Sequence, residues 1–194
     1  MSNYGGTPRH GLVIEPRSRA AIYLNDWRAN DLEAGKFFPQ SKGGLPDPYA
    51  PDDAPNRIPP EDGELASAGR PHSALLDEPH TDWFKTPVTS GGTREFVWRF
   101  TETHRTRRWN YFITRAGWSP NAPLSRAQFE DKPFHQVQLA CRPYWTCDGL
   151  RPESPTRHTV TLPERQGYQV ILAVWEVADT GNAFYQVIDV DFVT

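Results

Sequence analysis

"GYQVILAVWEVADTGNAFYQVIDVDF", residues 167–192, holds two runs with strand patterning. In "YQVILAVWEV" apolar residues occupy both faces, as in a strand buried in the middle of a sheet. In the second run Phe184, Ile188, Val190 and Phe192 fall on one face and Asp189 and Asp191 on the other. The same period of two recurs upstream. Phe96, Trp98 and Phe100 alternate with Val97 and Arg99, and Trp109, Tyr111 and Ile113 share a face. Val160 and Leu162 alternate with threonines, and "GLVI" (11–14) reads as a short buried strand. Short strands separated by Pro/Gly turns, with little helix, predict an all-β sandwich.

The rest of the chain supplies loops. Residues 24–38 have mixed helical or loop character and end at Pro39. Residues 41–63, crowded with Pro, Gly and Asp, predict a long surface loop, because proline lacks the N–H that a helix or central strand needs. Residues 1–9 read as a flexible extension ahead of a single domain, 10–194. They have no apolar core of a signal peptide. No internal repeat is visible.

Composition narrows the function. The chain has 194 residues, 37% hydrophobic and 23% charged, which suits a folded domain with a sizeable core. A formal net charge of -3 gives no basic field for nucleic acid. The longest apolar stretch, "VILAVW", is far too short to span a membrane. Two cysteines exclude a disulfide-rich scaffold. Cys141 and Cys147 either pair across a folded-back loop or remain two thiols, and spacing alone does not choose.

Four segments in order carry a resemblance. They are "HGLVIEPRSRA" (10–20), "PEDGELASAG" (60–69), "FVWRFTETHRTRRWNYFITRAGWSPNAPLSRAQF" (96–129) and the C-terminal stretch quoted above. Together the chain from His10 onward resembles the chitin-binding type (auxiliary activity family 10) of bacterial lytic polysaccharide monooxygenases. The resemblance implies an immunoglobulin- or fibronectin III-like sandwich with long loops. It also implies a copper site made by the amino group and imidazole of an N-terminal histidine and by a second histidine. Nitrogen ligands in a planar arrangement suit Cu(II). Carried over, the metal ligands are His10 and His104, Phe184 lies on the axial side, and Glu33 is a supporting carboxylate. Trp175, Asp179 and Asn182 are expected in the layer beneath. The implied partner is an insoluble polysaccharide, chitin ahead of cellulose, attacked outside the cell by a monomer. Without a signal in residues 1–9, a cytoplasmic or non-classically exported protein is the alternative.

Each residue also has a plain structural reading. His10 is an exposed terminal histidine, His104 a strand-end histidine bonded to backbone, and Phe184 a core residue. Arg17 and Arg19 read as structural ties of the first strand. His72, His80, His135 and His158 are scattered without ligand spacing and read as surface or loop residues.

Departures from the family pattern divide the functional expectation. His10 follows Arg9, so its nitrogen is an amide whose lone pair is delocalised. Glu102 stands where the family has a small residue, two positions before His104. On a strand it would share that face. It is then a ligand, an obstruction of the oxygen position, or a salt-bridge partner for Arg105, Arg107 or Arg108. His135 and Val160 occupy the usual cysteine positions. The first loops lack the aromatic that stacks on chitin, while Tyr49, in the Pro-rich loop, either stacks on a sugar or packs on its own loop. Two main expectations follow. One is a copper-dependent monooxygenase once residues 1–9 are removed, for instance by a cut after Arg9. The other is a non-catalytic polysaccharide-binding relative. A component of an interaction or toxin-delivery system is a third.

Overall fold

The computed structural model describes residues 10–46 and 54–193. Tyr49 and residues 1–9, which entered the reading above, lie outside the described residues. The chain opens with β1 (Gly11–Glu15), followed by α1 (Arg19–Tyr23), α2 (Asp26–Ala29) and β2 (Glu33–Gly35). After a long connection come β3 (Thr86–Thr89), β4 (Thr93–Phe100), β5 (Thr106–Ile113) and β6 (His135–Val137). β7 (Thr156–Thr161), β8 (Gly167–Val177) and β9 (Asn182–Val193) complete the fold.

Among the described residues these strands make two sheets. One has the order β1-β4-β7, and the other β2-β9-β8-β5-β6. β3 runs parallel to the far end of β9, from Thr86 opposite Val190 to Thr89 opposite Val193. The sheets pack as a sandwich. Phe96, Trp98 and Phe100 of β4 meet Tyr111, Ile113, Ile171, Trp175, Phe184 and Ile188 from the larger sheet. This is the face predicted by alternation.

The larger sheet is buried on its other side as well, which explains the doubly apolar β8. Val170, Leu172, Val174, Tyr185 and Val187 pack on Ala20, Ala29, Leu32, Phe38, Leu65 and Leu76 from the long segment between β1 and β3. Ser18 and Arg19 anchor that cover. Ser18 Oγ accepts from Ala21 N at 3.1 Å, capping α1, and donates to Gln186 Oε1 at 2.7 Å. Arg19 grips Asp189 through two hydrogen bonds of 2.7 and 2.8 Å, both residues being buried. The structural reading of Arg19 describes this contact, and Arg17 caps the same turn by donating to Ala21 O at 2.9 Å.

Two expectations need correction and one open choice is settled. The Pro-rich loop lacks helix and strand where it is described, but it is not wholly a surface loop. Asn56 is buried and its amide donates to Lys36 O and Lys42 O at 3.2 and 2.9 Å. The loop presses so closely on β2 that a Cβ at Gly35 would fall 1.8 Å from Arg57 O. His135 and His158 are strand residues on β6 and β7, not loop residues. His158 is buried on the same face of β7 as Val160, two residues on, with Nδ1 2.7 Å from the Tyr111 hydroxyl. Finally, Cys141 and Cys147 form a disulfide that closes a short loop between β6 and β7. Among the described residues no helix is long and apolar enough to cross a membrane.

Candidate metal centre

His10 precedes β1, and the β1–β4 pairing continues through it. Thr101 N donates to His10 O at 3.0 Å and His10 N donates to Thr101 Oγ1 at 3.2 Å. The next residue has to be small. A Cβ at Gly11 would lie 2.8 Å from the Phe100 ring and 3.0 Å from Trp175, so the His-Gly pair has a packing cause. His104 sits in the non-strand link between β4 and β5.

Both imidazoles rest on one ring. Phe184, 1% exposed, has its centroid 4.8 Å from that of His10 and 6.1 Å from that of His104. The His104 and Phe184 planes lie within 13° of parallel. Trp175 backs this platform, 5.0 Å from Phe184, and its Nε1 donates to Thr106 Oγ1 at 2.8 Å. That bond ties the platform to the strand that follows His104. β2 pairs with β9 so that Glu33 lies opposite Phe184 and Gly35 opposite Asn182. The Glu33 carboxylate accepts from Asn182 Nδ2 and faces Arg70 Nη2 at 3.5 Å.

Sequence reading missed the group beside His10. Asp31 Oδ1 lies 3.6 Å from His10 Nε2, and Oδ2 lies 3.3 Å from His72 Nε2. Arg70 Nε donates to Asp31 O at 3.1 Å. Donor atoms of His10, Asp31 and Glu33 all lie within 4.8 Å of one another. Trp27, 51% exposed, stacks against His72 with ring centroids 5.0 Å apart. The expectation that the early loops lack an aromatic beside the site is therefore wrong: α2 supplies one. Residues 27, 31, 70 and 72 meet only through tertiary folding, so no local spacing announced them.

Glu102 and Asp179 are placed differently from expectation. Residues 101–105 are not strand, so strand alternation does not put Glu102 on the face of His104; it lies exposed in a bend. Arg107 and Arg108 turn to the buried Glu176, at 2.8 and 2.7 Å. Asp179 is exposed in the turn between β8 and β9, not in a layer under the histidines.

The donor set fits copper in part. Two imidazoles share one hydrophobic platform, and imidazole nitrogen is a good copper ligand. The Asp31 carboxylate faces His10 Nε2 at 3.6 Å, a charge contact that favours a proton there and the lone pair on Nδ1. The main-chain nitrogen of His10 becomes a third ligand only where His10 is the first residue, because a peptide nitrogen has no available lone pair.

Residues 10–190 match the family described as "lytic polysaccharide mono-oxygenase, cellulose-degrading". The chain belongs to this family. It is 42% identical over 194 residues to GlcNAc-binding protein A of Vibrio campbellii, covering 97% of this chain and 36% of that protein. It is 44% identical over 198 residues to the Photobacterium profundum protein of the same name, covering 96% and 37%. It thus spans little more than a third of the length of these relatives. Among solved structures, a chitin-binding domain from Burkholderia pseudomallei aligns with TM-score 0.89 at 48% identity, covering 96% of this chain and all of that one. An auxiliary activity family 10 monooxygenase from Streptomyces lividans aligns at 0.76 and 34%, covering 94% and 100%. A Bacillus amyloliquefaciens protein solved in complex with Cu(I) aligns at 0.72 and 33%, covering 95% and 100%. The sandwich expected from strand patterning is the fold of these monooxygenases.

Proposed function

We propose that this chain targets an insoluble polysaccharide and oxidises it with copper when His10 is the first residue. The seating of His10 and His104 on the same Phe184 ring carries this reading. His10 and His104 would hold the metal, and the Phe184 ring packs apolar surface against both imidazoles. Glu33 and Asp31 position the assembly: Glu33 ties β2 to Asn182 and Arg70, and Asp31 orients the His10 ring. Bound copper would supply the one-electron chemistry that activates dioxygen or peroxide, the oxidant for a C–H bond beside the glycosidic link. The exposed Trp27 ring offers a sugar a stacking surface next to the two histidines. Chitin is favoured over cellulose, since two relatives bear the name GlcNAc-binding protein and a third is a chitin-binding domain. The place of work is outside the cell, as a monomer, with residues 10–194 acting as one domain.

A second reading is favoured by the peptide bond before His10. With residues 1–9 attached, the protein binds polysaccharide without catalysis. One experiment separates the two. Full chain and a form beginning at His10 are each given copper, a reductant and β-chitin, with cellulose in parallel, and soluble products are examined by mass spectrometry. Oxidised chito-oligosaccharides from the His10-first form alone support the catalytic reading. Sedimentation with chitin and no oxidised product from either form supports the binding reading. Neither binding nor product on either polymer removes both.

A further inference from the structure

Beside the segment that carries His104 lies a pocket of about 360 Å³, lined by Arg107, Arg108, Gln138, Arg142, Tyr144 and Trp145. That volume is within the range of small-ligand sites. Three guanidinium groups converge on it, and two of them share the Glu176 carboxylate. Glu176, fully buried, accepts from Arg107 Nη1 at 2.8 Å, from Arg108 Nε at 2.7 Å and from Asn110 Nδ2 at 3.2 Å. Arg142 donates through Nη1 to Leu139 O and Cys141 O at 3.0 Å each, and among the described residues it pairs with no carboxylate. Arg142 therefore brings to the pocket a positive charge that no carboxylate among the described residues pairs with.

The walls suit a ring that bears an anion. Arg107 and Arg108 are aimed by their shared bond to Glu176, and guanidinium forks match the geometry of carboxylates and sulfates. Trp145 is half-buried and meets Tyr144 edge-on, with centroids 5.3 Å apart, giving an aromatic wall of the kind that sugar rings stack on. The Cys141–Cys147 disulfide closes the loop that brings Arg142, Tyr144 and Trp145 to the pocket, so little ordering accompanies binding. The pocket is near the candidate metal centre in the chain: Arg107 follows His104 by three residues, roughly 10 Å of extended backbone.

We infer that this pocket binds an oxyanion carried on a sugar ring, either the carboxylate of a uronic acid or a sulfate ester. The inference rests on the polysaccharide reading above and adds an acidic-sugar subsite to it. It assigns Arg142 and Trp145 as the residues that distinguish an acidic chain from neutral chitin.

The test is a calorimetric titration of the full chain, without metal, against four probes: a glucuronic acid oligomer, a 6-sulfated N-acetylglucosamine oligomer, neutral chitotetraose and sodium sulfate. One of the acidic oligomers is expected to bind at least about tenfold more tightly than chitotetraose, and the two acidic arms identify which anion the site takes. Arg142→Gln is expected to cut that affinity about tenfold, the effect of one charge-assisted hydrogen bond. Trp145→Leu keeps apolar bulk and is expected to weaken the oligomer while leaving sodium sulfate unaffected. Equal affinity for acidic and neutral oligomers, or no change in Arg142→Gln, overturns the inference. Sodium sulfate binding as tightly as the sulfated oligomer overturns the sugar assignment. Sedimentation of the same proteins with β-chitin reads the polysaccharide reading separately. Its loss beside intact acidic-sugar binding sinks the chitin reading and leaves the pocket standing.

Discussion

The Nε2 atom of His10 lies 3.6 Å from Oδ1 of Asp31. A carboxylate facing that nitrogen favours, by its charge, the tautomer with its lone pair on Nδ1. Asp31→Ala is therefore expected to weaken Cu(II) binding about tenfold. Asp31→Asn, which keeps an oxygen acceptor, should lose less. Copper titration followed by intrinsic fluorescence measures both. Unchanged affinity in the alanine variant would show that the His10 ring is oriented without Asp31.

Trp27 leads to a separate expectation. It is half exposed and held against His72, so its ring is presented to solvent at a fixed angle. Trp27→Ala should lower affinity for β-chitin about fivefold, the worth of one aromatic stacking contact. Copper affinity should stay the same, since Trp27 reaches the centre only through His72 and Asp31. A binding isotherm on β-chitin decides it; an undiminished isotherm removes Trp27 from the sugar surface.

The sandwich was legible because strand alternation is local. Trp98, Trp175 and Phe184 bury where their parity puts them. For the candidate centre the sequence offered His10 with Gly11, His104 ahead of β5 and Glu33, all by resemblance to the family's motifs; that β2 sets Glu33 opposite Phe184 is visible only in the fold. Asp31 comes from the link between α2 and β2, Arg70 and His72 from one segment some forty residues on, and nothing in that spacing encodes their meeting. Glu102 was misplaced because strand parity was applied to residues that leave the strand after Phe100. His158 was misjudged because it was read by residue type, although it shares the parity of Val160 and Leu162 and so their buried face.

Arg19 and Asp189 form a buried pair with side chains 4% and 1% exposed. Arg19→Met removes the cation and leaves a carboxylate buried beneath α1. The expected cost is about 3–5 kcal/mol, read from urea denaturation midpoints. Combining Arg19→Met with Asp189→Leu should recover much of that loss, because no charge is then stranded. A double variant no more stable than the single one would show that packing, not charge, sets the cost.

Burial pushes the His158 imidazole down to about 4, with nearby His135 adding repulsion. Burial lowers His135 too. The unfolded chain takes up a proton at His158 near the ordinary value of 6.5, while the folded chain resists it until about 4. Stability from this residue is thus complete above about pH 6.5 and is lost as pH falls toward 4, by up to ~3 kcal/mol. His158→Gln should flatten the dependence of urea stability on pH across that window. A variant as pH-sensitive as the parent would assign the effect to other groups.

The main-chain nitrogen of His10 decides the last expectation. In the full chain it is a peptide N–H that donates to Thr101 Oγ1 at 3.2 Å. In a form beginning at His10 it is an amine, with an ordinary pKa of about 7.7–8.0, already attached to an imidazole that Asp31 holds in place. Amine and Nδ1 then close a chelate on one residue, and His104 adds a nitrogen from across Phe184. The His10-first form should bind Cu(II) roughly tenfold more tightly or better, a gain of at least ~1.4 kcal/mol. Its affinity should also climb with pH up to about 8, because the metal competes with a proton for the amine. The full chain lacks that amine and should lack that part of the climb. Brief trypsin treatment offers a route to the shorter form, since Arg9 precedes His10. Copper titrations of both forms between pH 6 and 9 read affinity and slope together. Two superimposable curves would mean that the main-chain nitrogen takes no part, and that the two imidazoles bind copper with a ligand other than the amine.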